Sequence, residues 1–307
     1  MALFVNHIAV WKALILGIVQ GATEFLPVSS SAHLVILQHL FKLDVEAGPM
    51  VAFDVCLHVG TLLAVLFALR KEMQIVIKGI IFRLKTPHPH PLPSGERERG
   101  EGDHEIPLSG GFSPDQAWHA LWLVLLGTIP AVVIGFTFKD FFEQLFTNTL
   151  PVGVALIVTG IILFSTRFVK INDISLPKMK WWHALAVGLA QAVAIIPGIS
   201  RSGSTISMGL FTKLDRQLAA KFSFLLSIPA IGGAAILEWK NFRFISHENA
   251  VPILLGTLAS FIVGYICVRL MLAIMRGTRF SWFAIYCWIV GLATIISSSA
   301  SFLGALR

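Results

Sequence analysis

Six segments of this 307-residue chain, near 49–69, 117–138, 151–169, 222–239, 251–272 and 281–303, are apolar throughout. Each has about the twenty residues that an α-helix needs to cross roughly 30 Å of hydrocarbon. In lipid no water is at hand for the peptide groups, so backbone pairing must be completed inside each segment and each is expected to be a spanning helix. Composition agrees: 55% of residues are hydrophobic and 13% charged, which excludes an ordinary soluble domain. The net charge of +7 invites a nucleic-acid reading, but the basic residues are scattered through short loops, where they set topology. No nucleic-acid partner is expected. Cys56, Cys267 and Cys287 lie in apolar segments without CxxC spacing, so neither a disulfide framework nor a zinc site is implied. The N-terminus has no basic region and no small-residue cleavage site, and Lys12 interrupts its apolar run. The first helix is expected to remain in the mature protein.

Two further apolar regions are broken in the middle. Residues 8–41 are interrupted by Pro27-Val28-Ser29-Ser30-Ser31, and residues 183–210 by Pro197-Gly198-Ile199-Ser200-Arg201-Ser202. Each reads as two short helices around a polar turn, and irregular backbone at membrane depth must be buried in protein or line a cavity. Both are expected to be re-entrant hairpins.

The charges agree with that reading. With six spans and two hairpins, loops 70–116, 167–182, 211–221 and 269–280 fall on one side and hold nearly all the arginines and lysines. Loops 139–150 and 240–250 hold only Lys139, Lys240 and Arg243. The positive-inside rule makes the first set cytoplasmic and puts both termini outside. Gly17-x-x-Gln20 leading to Pro27 and Ser29-Ser30 is echoed by Gly188-x-x-Gln191 leading to Pro197 and Ser200. Each break is followed by three spans, one hairpin entering from outside and the other from the cytoplasm. That is the pattern of an inverted-topology repeat whose broken helices meet near the midplane. The expected architecture is an all-α polytopic membrane protein, a single integral membrane domain over 1–307. Its repeats cover 1–169 and 183–303. Residues 86–115, rich in Pro, Gly and charge, read as a disordered cytoplasmic insertion in which His88 and His90 are solvated. Trp181, Trp182, Trp239 and Trp282 fall at span ends as interfacial anchors.

The breaks carry the chemistry. Gln20 and Glu24 share a helical face, Ser29–Ser31 stand where an N-cap belongs, and His33 falls in the first turns of the next helix. Glu24 and His33 are costly in lipid and are therefore functional candidates, although they could simply pair with one another. At the second break Arg201 brings a fork suited to phosphate, and Ser200, Ser202, Ser204 and Thr205 crowd a helix N-terminus that favours an anion. Together these groups suit phosphoryl chemistry on a lipid phosphate or pyrophosphate. Arg201 neutralises charge, a hydroxyl or water attacks, and His33 moves a proton. Glu24, with Gln20, could hold a divalent cation on the phosphate oxygens. Asp54 and His58, four apart near the outer end of the first span, read first as interfacial residues and second as support for the site.

Gln20-x-x-x-Glu24 followed by FLPVSSSAH, and PGISRSGST at 197–205, resemble the undecaprenyl-pyrophosphate phosphatase family, also known as bacitracin-resistance proteins. Both of the family's motifs, (E/Q)xxxE and PGxSRSxxT, are matched. FSFLLSIPA at 222–230 and FAIY at 283–286 extend the likeness over nearly the whole chain. The resemblance implies hydrolysis of undecaprenyl pyrophosphate to the monophosphate, recycling the carrier lipid for cell-wall synthesis and conferring bacitracin resistance. The alternative is a flippase for the same lipid. It implies a divalent cation, Mg2+ or Ca2+, held at Glu24, and a multi-pass protein of the bacterial inner membrane with its site toward the periplasmic or outer face. Its partners would be the polyprenyl pyrophosphate substrate and membrane lipids, and a homodimer is compatible. Glu24, Ser30, His33 and Arg201 match catalytic positions, with the nucleophile left between Ser30 and a His33-activated group. Gln20, Ser29, Ser200, Arg201, Ser202 and Thr205 are the expected substrate-binding set. Two departures stand out: Gln20 supplies an amide where many members have a second carboxylate, and Cys287 follows FAIY where many have an arginine.

Overall fold

The computed structural model describes residues 8–44, 48–85, 114–169, 173–245, 247–277 and 279–305. Among these residues the regular structure is helical: α1 (Val10–Phe25), α2 (Ser30–Leu40), α3 (Gly48–Ala68), α4 (Arg70–Lys85), α5 (Pro114–Thr137), α6 (Lys139–Leu145), α7 (Thr149–Ser165), α8 (Trp181–Val193), α9 (Arg201–Phe211), α10 (Arg216–Leu237), α11 (His247–Ile274) and α12 (Phe283–Ala305). Six stretches are long and apolar enough to cross a membrane: Gly48–Ala68, Gln116–Thr137, Thr149–Phe168, Arg216–Arg243, Asn249–Ile274 and Arg279–Ser299. They coincide with the six expected spans. Their outer faces carry Trp122, Val133, Leu254 and Ile289 in the open, as expected where the solvent is lipid.

The sequence reading needs correction at three places. Residues 70–85, expected as loop, form α4, and Pro114 and Asp115 open α5 rather than closing the expected insertion. The remainder of that insertion, 86–113, lies outside the described residues. The helix expected from 222 begins at Arg216, because the Asp215 side chain caps it by accepting from the backbone N–H groups of Gln217 and Leu218 at 2.9 and 3.1 Å.

The broken regions fold into short pairs. α1, α2, α8 and α9 have 16, 11, 13 and 11 residues. At 1.5 Å per residue they run about 24, 17, 20 and 17 Å, short of the hydrocarbon thickness. Ser29 turns the chain between α1 and α2 at φ 67°, a left-handed conformation that its side chain supports by accepting from Ala32 N–H. Gly198 does so before α9 at φ 99°. A side chain there would also strike the Val152 carbonyl oxygen at 2.5 Å, so only glycine is accommodated.

Packing is exchanged between the halves. α1 lies along α11 and α8 along α5, while α7 runs beside α12. The first two contacts are of backbone on backbone. A Cβ on Gly17 would lie 2.2 Å from the Gly256 oxygen, and one on Gly188 would lie 2.2 Å from the Gly127 oxygen. Small residues permit such approach, and in lipid this close packing is a main source of helix association. Below the breaks Phe25 meets Phe224 edge to face at 5.5 Å, inside a core that includes Leu163, Ile206, Leu226 and Phe280.

Candidate active site

The two turns are stitched to one another. Gly198 N–H donates to Ser31 Oγ at 3.4 Å, and Ser202 Oγ donates to the Leu26 carbonyl at 3.0 Å. Thr159, from α7, holds the second turn by donating to the Gly198 carbonyl at 2.9 Å and accepting from Ser200 N–H at 3.0 Å. Arg201 follows at the first position of α9 and reaches across to Glu24, on the last turn of α1. Glu24 is buried and Arg201 partly so, and the ion pair removes two charges from a setting where either alone would be costly.

Glu24 is held from all sides. Oε1 accepts from Arg201 Nη2. Oε2 accepts from Gln20 Nε2 at 2.9 Å and from Ser30 Oγ at 2.6 Å. His58 Nε2 stands 3.8 Å from the same Oε2, its ring oriented by the bond that Nδ1–H donates to the Asp54 carbonyl at 2.8 Å. Asp54 in turn accepts on both carboxylate oxygens from Gln38 Nε2. Ser30 is thus a hydroxyl already sharing its proton with a carboxylate, the arrangement that activates a nucleophile.

Two cavities meet at this pair. The smaller, about 160 Å³, is lined by Ser29, Ser30 and Ser31 from the start of α2 and by Ser200 and Arg201 from the start of α9. Two helix N-termini therefore open onto one hydroxyl-rich hollow, which favours an anion. The larger, about 940 Å³, has walls of Val51 and Val55 from α3 and Ala230, Ile231 and Ala234 from α10. Lys139, Asp140, Glu238 and Asn241 also line it. An apolar chamber joined to a small anion pocket has the form required by a lipid with a phosphorylated head.

Not every expected site residue reaches the cavities. Glu24, Ser29, Ser30, Ser200 and Arg201 do. Thr205 is buried under the site, donating to the Arg201 carbonyl at 2.7 Å and bonded to Ser223 Oγ at 2.6 Å. Ser202 is engaged with Leu26, and Gln20 sits behind Glu24 with its Oε1 buried and without a partner. His33 does not pair with Glu24. Its Nδ1–H donates to the Ser29 carbonyl, its Nε2 faces the Tyr286 hydroxyl at 2.8 Å, and the two rings stack. His58, read first as interfacial, lines both cavities instead. Its signal was a polar residue on the face of an apolar span that also carries Asp54. Thr159 gave no signal, because a lone threonine in an apolar helix looks like packing. Cys287, in place of the family arginine, is buried and donates from Sγ to the Pro27 carbonyl at 3.6 Å, supporting the first turn from α12.

Among the described residues no three His, Cys, Asp or Glu side chains gather as a metal cage. The available donors are the Glu24 carboxylate and the unpartnered Gln20 Oε1 beside it. Two oxygen donors suit Mg2+ when substrate phosphates complete the shell.

Comparison with known proteins agrees with the motifs. The family model described as Bacitracin resistance protein BacA matches residues 13–293. The undecaprenyl-diphosphatases of Desulfatibacillum aliphaticivorans and Carboxydothermus hydrogenoformans are each 40% identical to the chain, over 94% of it and 98% of their own length. That of Methanobrevibacter smithii is 39% identical, over 94% of the chain and 97% of its own length.

Proposed function

Because this chain belongs to the Bacitracin resistance protein BacA family, we infer that it hydrolyses undecaprenyl pyrophosphate to undecaprenyl phosphate and inorganic phosphate. It is a phosphatase of a multi-pass membrane protein, and its activity serves cell-wall synthesis and bacitracin resistance. The observation that carries this reading is the contact of Ser30, Glu24 and Arg201 at the junction of an anion pocket with an apolar chamber.

The chemistry follows from that contact. The terminal phosphate enters the small pocket, and Arg201 turns part of its fork from Glu24 to the phosphoryl oxygens. Ser30 Oγ attacks the terminal phosphorus and passes its proton to Glu24. The bond from that phosphorus to the bridging oxygen breaks, and the lipid monophosphate leaves with the bridging oxygen. Water then attacks the phosphoserine and the Ser30 Oγ–phosphorus bond breaks. Glu24 returns the first proton to Ser30 Oγ, takes one proton from the water in its place, and releases it to solvent as inorganic phosphate departs. General-base assistance of this kind contributes about 10²–10⁴-fold. His33 holds the Ser29 carbonyl and so the turn that presents Ser30. Ser200 caps α9 by accepting from Gly203 N–H, while Ser202 and Thr205 fix Arg201 from behind. A divalent cation held by Glu24 and Gln20 Oε1 would add charge neutralisation at the phosphate oxygens.

The architecture is read as two re-entrant hairpins within an inverted repeat, in one integral membrane domain. Three features support this: the shortness of α1, α2, α8 and α9, the exchanged α1–α11 and α8–α5 contacts, and the loop charges. The large cavity is lined by residues of loops 139–150 and 240–250, the two poor in basic residues, which favours a site open to the outer face of the inner membrane. The test is purified protein in liposomes loaded with undecaprenyl pyrophosphate. Release of inorganic phosphate with loss of pyrophosphate lipid is expected. Movement of labelled lipid between leaflets without phosphate release would make the protein a flippase instead.

A further inference from the structure

Four residues line both cavities: Glu24, His58, Phe146 and Arg201. They form a neck between the hydroxyl-lined pocket and the apolar chamber. A lipid pyrophosphate held with its terminal phosphate among Ser29–Ser31 and its chain in the chamber must pass its second, lipid-linked phosphate through this neck. Glu24 repels phosphate and Phe146 cannot hydrogen-bond it. Arg201 is committed to Glu24 and the terminal phosphate. His58 is the remaining group able to hydrogen-bond there.

We propose that His58 contacts the lipid-linked phosphate of the substrate and of the monophosphate product. The inference rests on the phosphatase reading above and extends it to the leaving group. The geometry suits the role. With both ring nitrogens protonated, the Nδ1–H bond to the Asp54 carbonyl fixes the ring and Nε2–H is left facing the neck as the donor that a phosphate oxygen needs, 3.8 Å from Glu24 Oε2 and thus beyond a direct bond to it. Asp54 is itself held at both oxygens by Gln38 of α2, so the helix turn that carries His58 is anchored to the element that carries Ser30. Inorganic phosphate has no second phosphate and no chain, so it needs only the small pocket.

The test compares binding of two products by calorimetry on purified protein, without any need for turnover. His58→Ala is expected to weaken undecaprenyl monophosphate about tenfold or more, the range for a hydrogen bond to a charged group, and to leave inorganic phosphate binding within about twofold. His58→Gln, which retains a hydrogen-bonding amide at similar reach, is expected to keep most of the lipid phosphate affinity. His58→Leu, matched in bulk, must behave as His58→Ala and stands in for it should the smaller variant fail to fold. Equal weakening of both ligands, or of neither, overturns the assignment. Failure of the phosphatase reading is separate, since wild-type protein would then release no phosphate from the pyrophosphate lipid.

Discussion

Arg201 and Glu24 lie 177 residues apart and, among the described residues, form an ion pair that joins the two broken regions, so removing one partner should be felt in the fold as well as in turnover. In Arg201→Leu the Glu24 carboxylate, 6% exposed, loses its cation. Breaking a buried pair this way costs about 3–5 kcal/mol. Glu24 keeps its bonds from Gln20 and Ser30 and has His58 nearby, so the lower end, about 3 kcal/mol, applies. In a chain of this size that is about 5 °C in unfolding temperature. In Glu24→Leu/Arg201→Leu no charge is stranded. Gln20 and Ser30 lose an acceptor, which returns a cost of about 1–2 kcal/mol. The double variant should therefore melt higher than Arg201→Leu alone, although both are inactive. Thermal unfolding in detergent, followed by tryptophan fluorescence, reads the difference. If the double variant melts lower, with the two losses adding, the pair does not carry the stabilising role assigned to it.

Helix contacts give a second expectation. Gly188→Ala puts a Cβ 2.2 Å from the Gly127 oxygen and should destabilise by about 1–3 kcal/mol. Gly232→Ala meets nothing within 4 Å and should be neutral or stabilise by up to about 1 kcal/mol, and thermal unfolding of the two variants checks the contrast. Ser30→Ala should lower phosphate release by at least about 10³-fold, as loss of a nucleophile does, without lowering the unfolding temperature as Arg201→Leu does. A residual rate within tenfold would move the nucleophile elsewhere. Lys178→Cys should react with a membrane-impermeant thiol reagent only from the cytoplasm, and Lys240→Cys only from outside. Reversed labelling would invert the orientation.

The spans were legible because length and apolarity alone decide them, and the breaks were legible because Pro197, Gly198 and the serine runs cannot continue a lipid-facing helix. The meeting of the breaks was legible only indirectly, through loop charges from which one hairpin is expected to enter from each side. α4 escaped because Arg70, Lys71, Glu72, Lys78 and Arg83 make it as polar as a loop, and helix formation does not require an apolar run. The natural local partner for Glu24 was His33, nine residues on. The turn at Ser29 instead sends that ring toward Tyr286 of α12, and α3 brings His58 to the carboxylate. Neither outcome is written in local spacing, because both depend on which helices the glycine contacts bring together. Thr205 shows the converse. It matches a family motif and sits beneath Arg201, yet its hydroxyl is used within the protein.

The central claim is that Glu24 and Arg201, brought together from opposite halves of the chain, form the site of hydrolysis. The direct measurement is inorganic phosphate released from undecaprenyl pyrophosphate by purified, folded wild-type, Glu24→Ala and Arg201→Ala proteins under identical conditions. The account predicts steady release by wild type and loss of at least about 10²-fold in each variant. Turnover in either folded variant at close to the wild-type rate would contradict it.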